Sequence, residues 1–275
     1  MSLKTIAVLL TCHNRKEKTI TCLKYLHYCT LPEGHVIDIF LVDDGSTDNT
    51  VETVKNNFPN INVIQGTGKL YWNRGMHLAW ETATKTKDYN FYLWLNDDTY
   101  LFSNSLMILF ENSKKNNFKS IIIGATCSTI GSTSYTGYNS KGEKIIPNGE
   151  IQKVETFNGN VVLVPRNVYI KIGILDNFYI HAIGDFDYAL RAKANNIESY
   201  ITTEHIAICE PNKNLPNWCL PEIKLRDRIK SLYSPLGNSH PYYYFIFEKR
   251  YYGIIRALKH LFTIHLRLLF PRLWN

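Results

Sequence analysis

Carboxylates close three apolar runs of this 275-residue chain: Phe40-Leu41-Val42-Asp43-Asp44-Gly45-Ser46, Phe91-Tyr92-Leu93-Trp94-Leu95-Asn96-Asp97-Asp98 and, after a turn, Gly184-Asp185-Phe186-Asp187. In an open α/β sheet the ligand crevice lies at the carboxyl ends of the strands, so acids placed there meet a ligand rather than the core. Bare carboxylates repel phosphate, whereas a hard divalent ion such as Mg2+ or Mn2+ takes oxygen from both. The chemistry these residues suit is metal-assisted transfer from a nucleotide-activated substrate. Asp185 and Asp187 separate by geometry. If they start the helix that Arg191 continues, they lie about 200° apart around its axis and cannot both face one substrate. Asp187 stands four residues before Arg191, the spacing of an intrahelical ion pair. Asp185 sits where a helix N-terminus favours a carboxylate, ready to take a proton.

The elements that must position these acids follow from periodicity. Apolar runs of strand length alternate with helical patterns, as in a parallel sheet of βαβ units. Strands are expected near 4–11, 37–42, 61–65, 90–95 and 119–126, and helices over 16–28, 48–57, 73–86 and 103–115. Ser103 is the expected cap of the last helix, and Asp48 places negative charge at a helix start. From about residue 128 the texture turns to Ser, Thr and Gly; then Asn158-Gly159-Asn160-Val161-Val162-Leu163-Val164-Pro165 returns a buried strand, and 185–196 reads as a helix. This divides the chain into a nucleotide-binding half (1–127), an acceptor and catalytic half of the same domain (128–235), and a C-terminal extension (236–275). Gly66-x-Gly68 matches half of a dinucleotide fingerprint, with Gly75 too far on to complete it.

Forty-five per cent hydrophobic and 20% charged residues give a chain able to bury a full core. The formal charge of +7 is uneven: Lys249, Arg250, Arg256, Lys259, Arg267 and Arg272 against Glu248 put +5 in the tail and leave +2 before it. That balance argues against a nucleic-acid groove. In the tail Ile255, Leu258, Phe262, Leu266 and Leu269 recur at three- and four-residue steps, with Arg256, Lys259, His260, Thr263 and Arg267 opposite. Aromatic residues from Tyr242 to Phe247 and at Trp274 flank the stripe. The pattern predicts a helix lying on an anionic membrane surface, with docking on its own domain as the alternative. The start of the chain lacks a secretory pattern, so the expected location is the cytoplasm, at the inner face of the membrane. Cys12, Cys22, Cys29, Cys127, Cys209 and Cys219 form no C-x-x-C pair and read as reduced structural thiols, not as a zinc site with His205.

Taken in order, Thr11-Cys12-His13-Asn14-Arg15, Val42-Asp43-Asp44-Gly45-Ser46-Thr47-Asp48, Gly68-Lys69-Leu70-Tyr71-Trp72-Asn73-Arg74-Gly75-Met76 and Leu95-Asn96-Asp97-Asp98 resemble the family 2 glycosyltransferases of GT-A fold. The segments 158–165 and 184–192 resemble the bacterial branch that builds capsule and lipopolysaccharide. The resemblance covers roughly residues 4–235. It implies an α/β fold with a single, mostly parallel sheet flanked by helices, and an inverting transfer from a UDP- or dTDP-sugar to a glycan or lipid-linked acceptor. It gives Asp43 and Asp44 the nucleotide base and ribose, with Thr11 and Arg15 lining the same pocket and Lys69 and Arg74 near the diphosphate. Asn96-Asp97-Asp98 stands in the place of the family's metal motif. Residues 96 and 98 share one side of an extended segment, so Asp98 is the expected ligand of Mg2+ or Mn2+, Asn96 a weaker one, and Asp97 a contact to ribose or to the ion's water. Asp185 alone takes the base role, because the family's neighbouring acid is Gly184 here. The family's late metal-binding histidine falls near Cys209, with His205 as the shifted alternative. Asp187 is a secondary acceptor-site residue, and so, apart from the resemblance, is Trp218, whose ring in a Pro- and Asn-rich loop could stack on a sugar face. The rivals are a sugar-phosphate nucleotidyltransferase, which would carry a Gly-rich basic loop after the first strand, and a non-catalytic nucleotide-sugar-binding subunit. Asp98→Ala is expected to abolish transfer and weaken metal-dependent donor binding with an unchanged circular dichroism spectrum; full turnover in that variant, or of the native protein in excess EDTA, would refute the metal role.

Overall fold

An eight-stranded sheet organises the chain in a computed structural model that describes residues 3–212, 214–237 and 239–274. Met1, Ser2, Lys213, Asn238, Asn275 and the side chain of Trp274 lie outside the described residues. The first half alternates as its periodicity predicts: β1 (Lys4–Cys12), α1 (Lys16–Tyr28), β2 (His35–Asp43), α2 (Thr50–Asn57), β3 (Asn62–Gln65), α3 (Tyr71–Thr86) and β4 (Phe91–Leu95). Then follow β5 (Tyr100–Leu101), α4 (Ser105–Lys115), β6 (Ile121–Ile123), β7 (Thr126–Cys127), β8 (Gly137–Tyr138), β9 (Gln152–Val154), β10 (Thr156–Phe157), β11 (Val161–Pro165), α5 (Arg166–Ile172), α6 (Gly184–Ala194), β12 (Ser199–Ile201) and β13 (Ala207–Ile208). The large sheet runs β3-β2-β1-β4-β11-β6-β12-β9, with small sheets β10-β8 and β5-β13-β7 beside it.

Strands β1 to β4 are parallel, and β11 reverses against both β4 and β6. That reversal places the start of β11 beside the end of β4, where Val161 pairs with Leu95. Buried on both faces, β1 and β4 read as unbroken apolar runs rather than alternating ones. Side chains still divide by parity. Ile6, Val8 and Leu10 pack with Leu23, Leu26, Val54 and Leu109 on one face, whereas Ala7 and Leu9 pack with Met76, Trp80, Trp94 and Tyr188 on the other.

Two local expectations fail for identifiable reasons. The strand expected over 119–126 breaks at Gly124, where a methyl group would stand 2.5 Å from Ile206 Cδ1 and 2.9 Å from Val161 Cβ. Ser103 does not cap α4; its carbonyl accepts the Thr30 amide. Asp48 does hold a helix start, and a second one too: its carboxylate accepts the Thr50 amide at 3.2 Å and the Lys16 amide at 2.9 Å, joining α2 to α1.

The C-terminal segment folds as α7 (Leu225–Leu232), α8 (Pro241–Tyr252) and α9 (Ile254–Leu269), and one face of it packs on its own domain. Asp187, fully buried on α6, pairs with Arg191 Nε at 2.9 Å and Arg250 Nη1 at 2.7 Å, and accepts the Tyr251 hydroxyl at 2.8 Å. Buried Glu248 of α8 pairs with Arg256 Nε at 2.8 Å, which ties α8 to α9. Trp218, 2% exposed among Leu232, Ile264 and Leu268, is core beneath α7 and α9 and presents no face to an acceptor. Asp187 likewise has no free oxygen for one. On α9, Ala257, Ile264 and Leu268 point inward while Ile255, Leu258, Phe262 and Leu269 remain exposed. Among the described residues no helix is long and apolar enough to cross a membrane.

Removing one partner of a buried ion pair costs about 3–5 kcal/mol, and the partly exposed arginines put this site at the low end. Asp187→Asn should therefore cost roughly 3 kcal/mol in a denaturant titration, against the roughly 0.5 kcal/mol of an exposed helical pair. A loss below 1 kcal/mol would mean that the extension is not anchored there.

Candidate active site

The acids lie where β1, β2 and β4 end and β11 begins. Asp43, the last residue of β2, is buried; its carboxylate accepts the Ser46 amide at 3.0 Å and lies 3.6 Å from the Cys12 thiol. Beside it opens a cleft of about 480 Å3 bordered by Asp43, Ser46, Thr47, Lys55 and Gln65. Asp44 departs from its expected role of holding base and ribose. Its Oδ1 accepts the Gly68 amide at 2.7 Å and its Oδ2 accepts Leu70 and Tyr71 at 2.8 and 2.9 Å, with the residue 4% exposed. A carboxylate so engaged organises the 66–71 turn instead of offering lone pairs to a ligand. This explains the glycines there: a methyl on Gly66 would stand 2.7 Å from Asp44 Oδ1, and Gly68 has φ of +80°. Gly75 serves another close approach, since a methyl there would stand 2.2 Å from the hydroxyl of Thr11.

Lys69 is exposed on this turn. Arg74 is not aimed at a diphosphate: its Nε and Nη2 donate to the carbonyls of Asn177 and Phe178 at 3.1 and 3.4 Å. Arg15 serves as counter-ion to the β4 acids rather than as pocket lining. Its Nη1 meets Asp97 Oδ1 at 2.9 Å, and its Nη2 pairs with Asp98 Oδ2. Asp97 is buried and also accepts the Thr19 hydroxyl, which withdraws it from the expected ribose contact; burial, opposed by Arg15, pushes its carboxyl up to about 7. Asp98 is the outward member, with its side chain 26% exposed.

Asn96 is unsuited to a metal, because its Oδ1 accepts the Trp72 indole N–H at 2.7 Å. His205 is engaged by the Thr133 hydroxyl at 2.8 Å, and Cys209 is the residue beside Asp98, Sγ to Oδ1 3.9 Å. Burial and the Asp98 charge push that thiol up to about 11, so it stands there uncharged. Among the described residues no three His, Cys, Asp or Glu side chains could hold a metal ion together. One outward carboxylate fits an ion that takes its other ligands from substrate phosphates and water, as Mg2+ characteristically does.

Asp185 starts α6, and its carboxylate accepts the amides of Gly159 at 3.0 Å and Phe186 at 2.9 Å. Burial, only partly offset by these amides, pushes its pKa up to about 6. Gly159 is also crowded by Trp72: a methyl there would lie 2.6 Å from a ring carbon of Trp72 and 3.4 Å from Asp185 Cβ. Gly184 cannot carry a second acid, since a methyl at that position would stand 1.7 Å from Asn73 Oδ1. Asn73 in turn donates to the carbonyls of Asp176 and Tyr179 at 2.8 and 2.7 Å. Sequence reasoning missed Trp72, Asn73 and Gly159 as site-builders. The turn-forming Asn158-Gly159-Asn160 ahead of a buried strand was the available signal for the last.

The model of glycosyl transferase family 2 matches residues 7–178, and the chain belongs to that family. Its GT-A-type fold resembles that of S. aureus TarS, with a TM-score of 0.57 at 13% identity over 86% of this chain and 41% of that one. TarS 1–349 gives 0.57 at 13% over 95% and 81%, and TarS 1–349 in complex with UDP gives 0.56 at 14% over 90% and 71%. At such identity the likeness is one of fold, and this chain spans about two fifths of the longer TarS chain. A comparison with curated proteins finds no match.

A base at Asp185 must be ionised to act, so transfer should fall as pH drops below about 6. Asp185→Asn should lower transfer by a factor of roughly 10² or more with donor affinity nearly unchanged. An Asp185→Asn variant with native turnover would move the base elsewhere.

Proposed function

We propose that the protein is an inverting, metal-dependent glycosyltransferase that moves a hexosyl or deoxyhexosyl group from a UDP- or dTDP-sugar to a glycan or lipid-linked acceptor in bacterial surface-polysaccharide synthesis. The observation that carries this reading is Asp185. It is a partly solvent-open carboxylate fixed by two backbone amides, and it connects through Gly159 and Trp72 to Asn96 and the outward Asp98. In this reading Asp185 takes the proton of an acceptor hydroxyl as that oxygen attacks the anomeric carbon on the face opposite the nucleotide. The cleft beside Asp43, at the end of β2, is the candidate place for the nucleoside end of the donor. UDP occupies TarS 1–349 in one of the similar structures. A Mg2+ or Mn2+ ion held by Asp98 and the diphosphate would neutralise the leaving group. Arg15 balances the β4 acids, and Lys69, exposed on the 66–71 turn, is the candidate cation for the diphosphate.

Residues 1–127 then serve the donor and 128–235 the acceptor, while 236–275 buttress α6 from outside. The exposed stripe of Ile255, Leu258, Phe262 and Leu269, with Lys259 beside it, suits an anionic bilayer. It supports a peripheral position on the cytoplasmic face of the membrane, where lipid-linked acceptors are met. The nucleotidyltransferase reading lacks its Gly-rich basic loop, because Arg15 is committed to Asp97 and Asp98.

A panel of nucleotide sugars tested for Mn2+-dependent hydrolysis, with UDP and dTDP in thermal-shift assays, should single out one base and one sugar. Absence of stabilisation by every nucleoside diphosphate in the presence of Mn2+ would favour a non-catalytic subunit.

A further inference from the structure

Next to Asp185 stand two half-exposed aromatic residues that the transfer step above does not use, one of which, Phe186, also packs against the Tyr179, Ile183, Leu190 and Phe247 cluster. Phe186, which follows the base on α6, is half-exposed and stacks on Tyr138 of β8, with ring centroids 6.0 Å apart and planes inclined by 29°. Tyr138 is also half-exposed, and its hydroxyl donates to Asn158 Oδ1 at 2.9 Å. Asn158 is the neighbour of Gly159, whose amide holds Asp185. Burial raises the Tyr138 phenol, the Asn158 hydrogen bond opposes that rise, and the Asp185 charge adds a smaller one. Against Gly159 stands the half-exposed indole of Trp72. The turn 158–160 thus meets the base and Trp72 at Gly159 and Tyr138 at Asn158.

We propose that Tyr138 and Phe186, beside Asp185, form the acceptor subsite, and that it takes an uncharged pyranose ring. The inference rests on the glycosyltransferase reading above. A pyranose has an apolar C–H face and a polar rim. Flat amphipathic rings bury the face, and the rim hydroxyl is left for Asp185. Phe186 is fixed to the base by adjacency in the chain and Tyr138 by the Asn158 bond, so a ring stacked on them is held in register with the proton acceptor. Asp97 and Asp98 are balanced by Arg15, whereas Asp185, beside the rings, accepts backbone amides and has no ion pair among the described residues, so an anionic sugar would be repelled there.

The test uses the full chain saturated with UDP and Mn2+, and octyl β-glucoside, octyl β-galactoside and octyl β-glucuronide as probes in saturation-transfer NMR. At least one neutral glycoside should bind and the glucuronide should bind more weakly. Tyr138→Ala and Phe186→Leu should each weaken the neutral probe about tenfold while UDP affinity stays within a factor of about two. Tyr138→Phe keeps the ring and guards against misfolding, and it should retain most of the binding. Equal binding by the wild type and both ring-deleting variants, preference for the glucuronide, or no neutral binding by a protein that binds UDP would overturn the subsite. Failure to bind UDP at all would instead overturn the donor reading, and the subsite with it.

Discussion

The buried carboxylate of Asp187 is the contact on which the catalytic arrangement depends. Two arginines and the hydroxyl of Tyr251 converge on it, and Tyr179 adds a longer hydrogen bond at 3.3 Å. Burying a charge is costly, and the cost is offset only when every oxygen is satisfied. Here Arg191 also bonds the carbonyls of Ile172 and Ile174, while Arg250 also pairs with Asp176. One acid therefore gathers α6, α8 and the 172–179 segment. Asp185 lies two residues upstream on the same helix, so its position is inherited from this network. Asn73 completes the bracing from α3, and the start of α6 is held from both α3 and the C-terminal extension.

The acids at the strand ends sort by how much of each remains open. Asp43, Asp44 and Asp97 are nearly inaccessible and bind backbone amides, a thiol, Arg15 or Thr19. Asp98 and Asp185 keep some exposure. The crevice thus uses most of its negative charge to fix its own loops. This fits general practice in catalytic sites, where a rigid surround holds the few groups that react.

Periodicity made the strands and helices legible, because burial on both faces of a parallel sheet leaves a continuous apolar signature. The i to i+4 spacing also foretold the bond between Asp187 and Arg191. It did not foretell Arg250 and Tyr251, which come from more than sixty residues away. Loops were the obscure part. Whether Asp44 faces a nucleotide or the amides of 68, 70 and 71 depends on turn geometry that composition does not encode, and Arg15 and Arg74 were equally free on paper to meet phosphate or protein. Trp218 was misread for a related reason: a Pro- and Asn-rich flank suggested a surface loop, but α7 and α9 fold over it. Counting along the chain put the family's histidine near Cys209, with His205 as the shifted alternative, and it is Cys209 that stands beside Asp98.

The contact between Gly184 and Asn73 also bears on how the sequence can drift. An acid introduced at position 184 would collide with the Asn73 amide, and a smaller residue at 73 would release the carbonyls of 176 and 179 that the amide secures. Neither change is tolerable by itself, so the two positions are epistatic. A lineage with glycine and asparagine here is channelled toward keeping a solitary acid at the head of this helix, and a paired one is reachable only if the 176–179 segment first acquires another support.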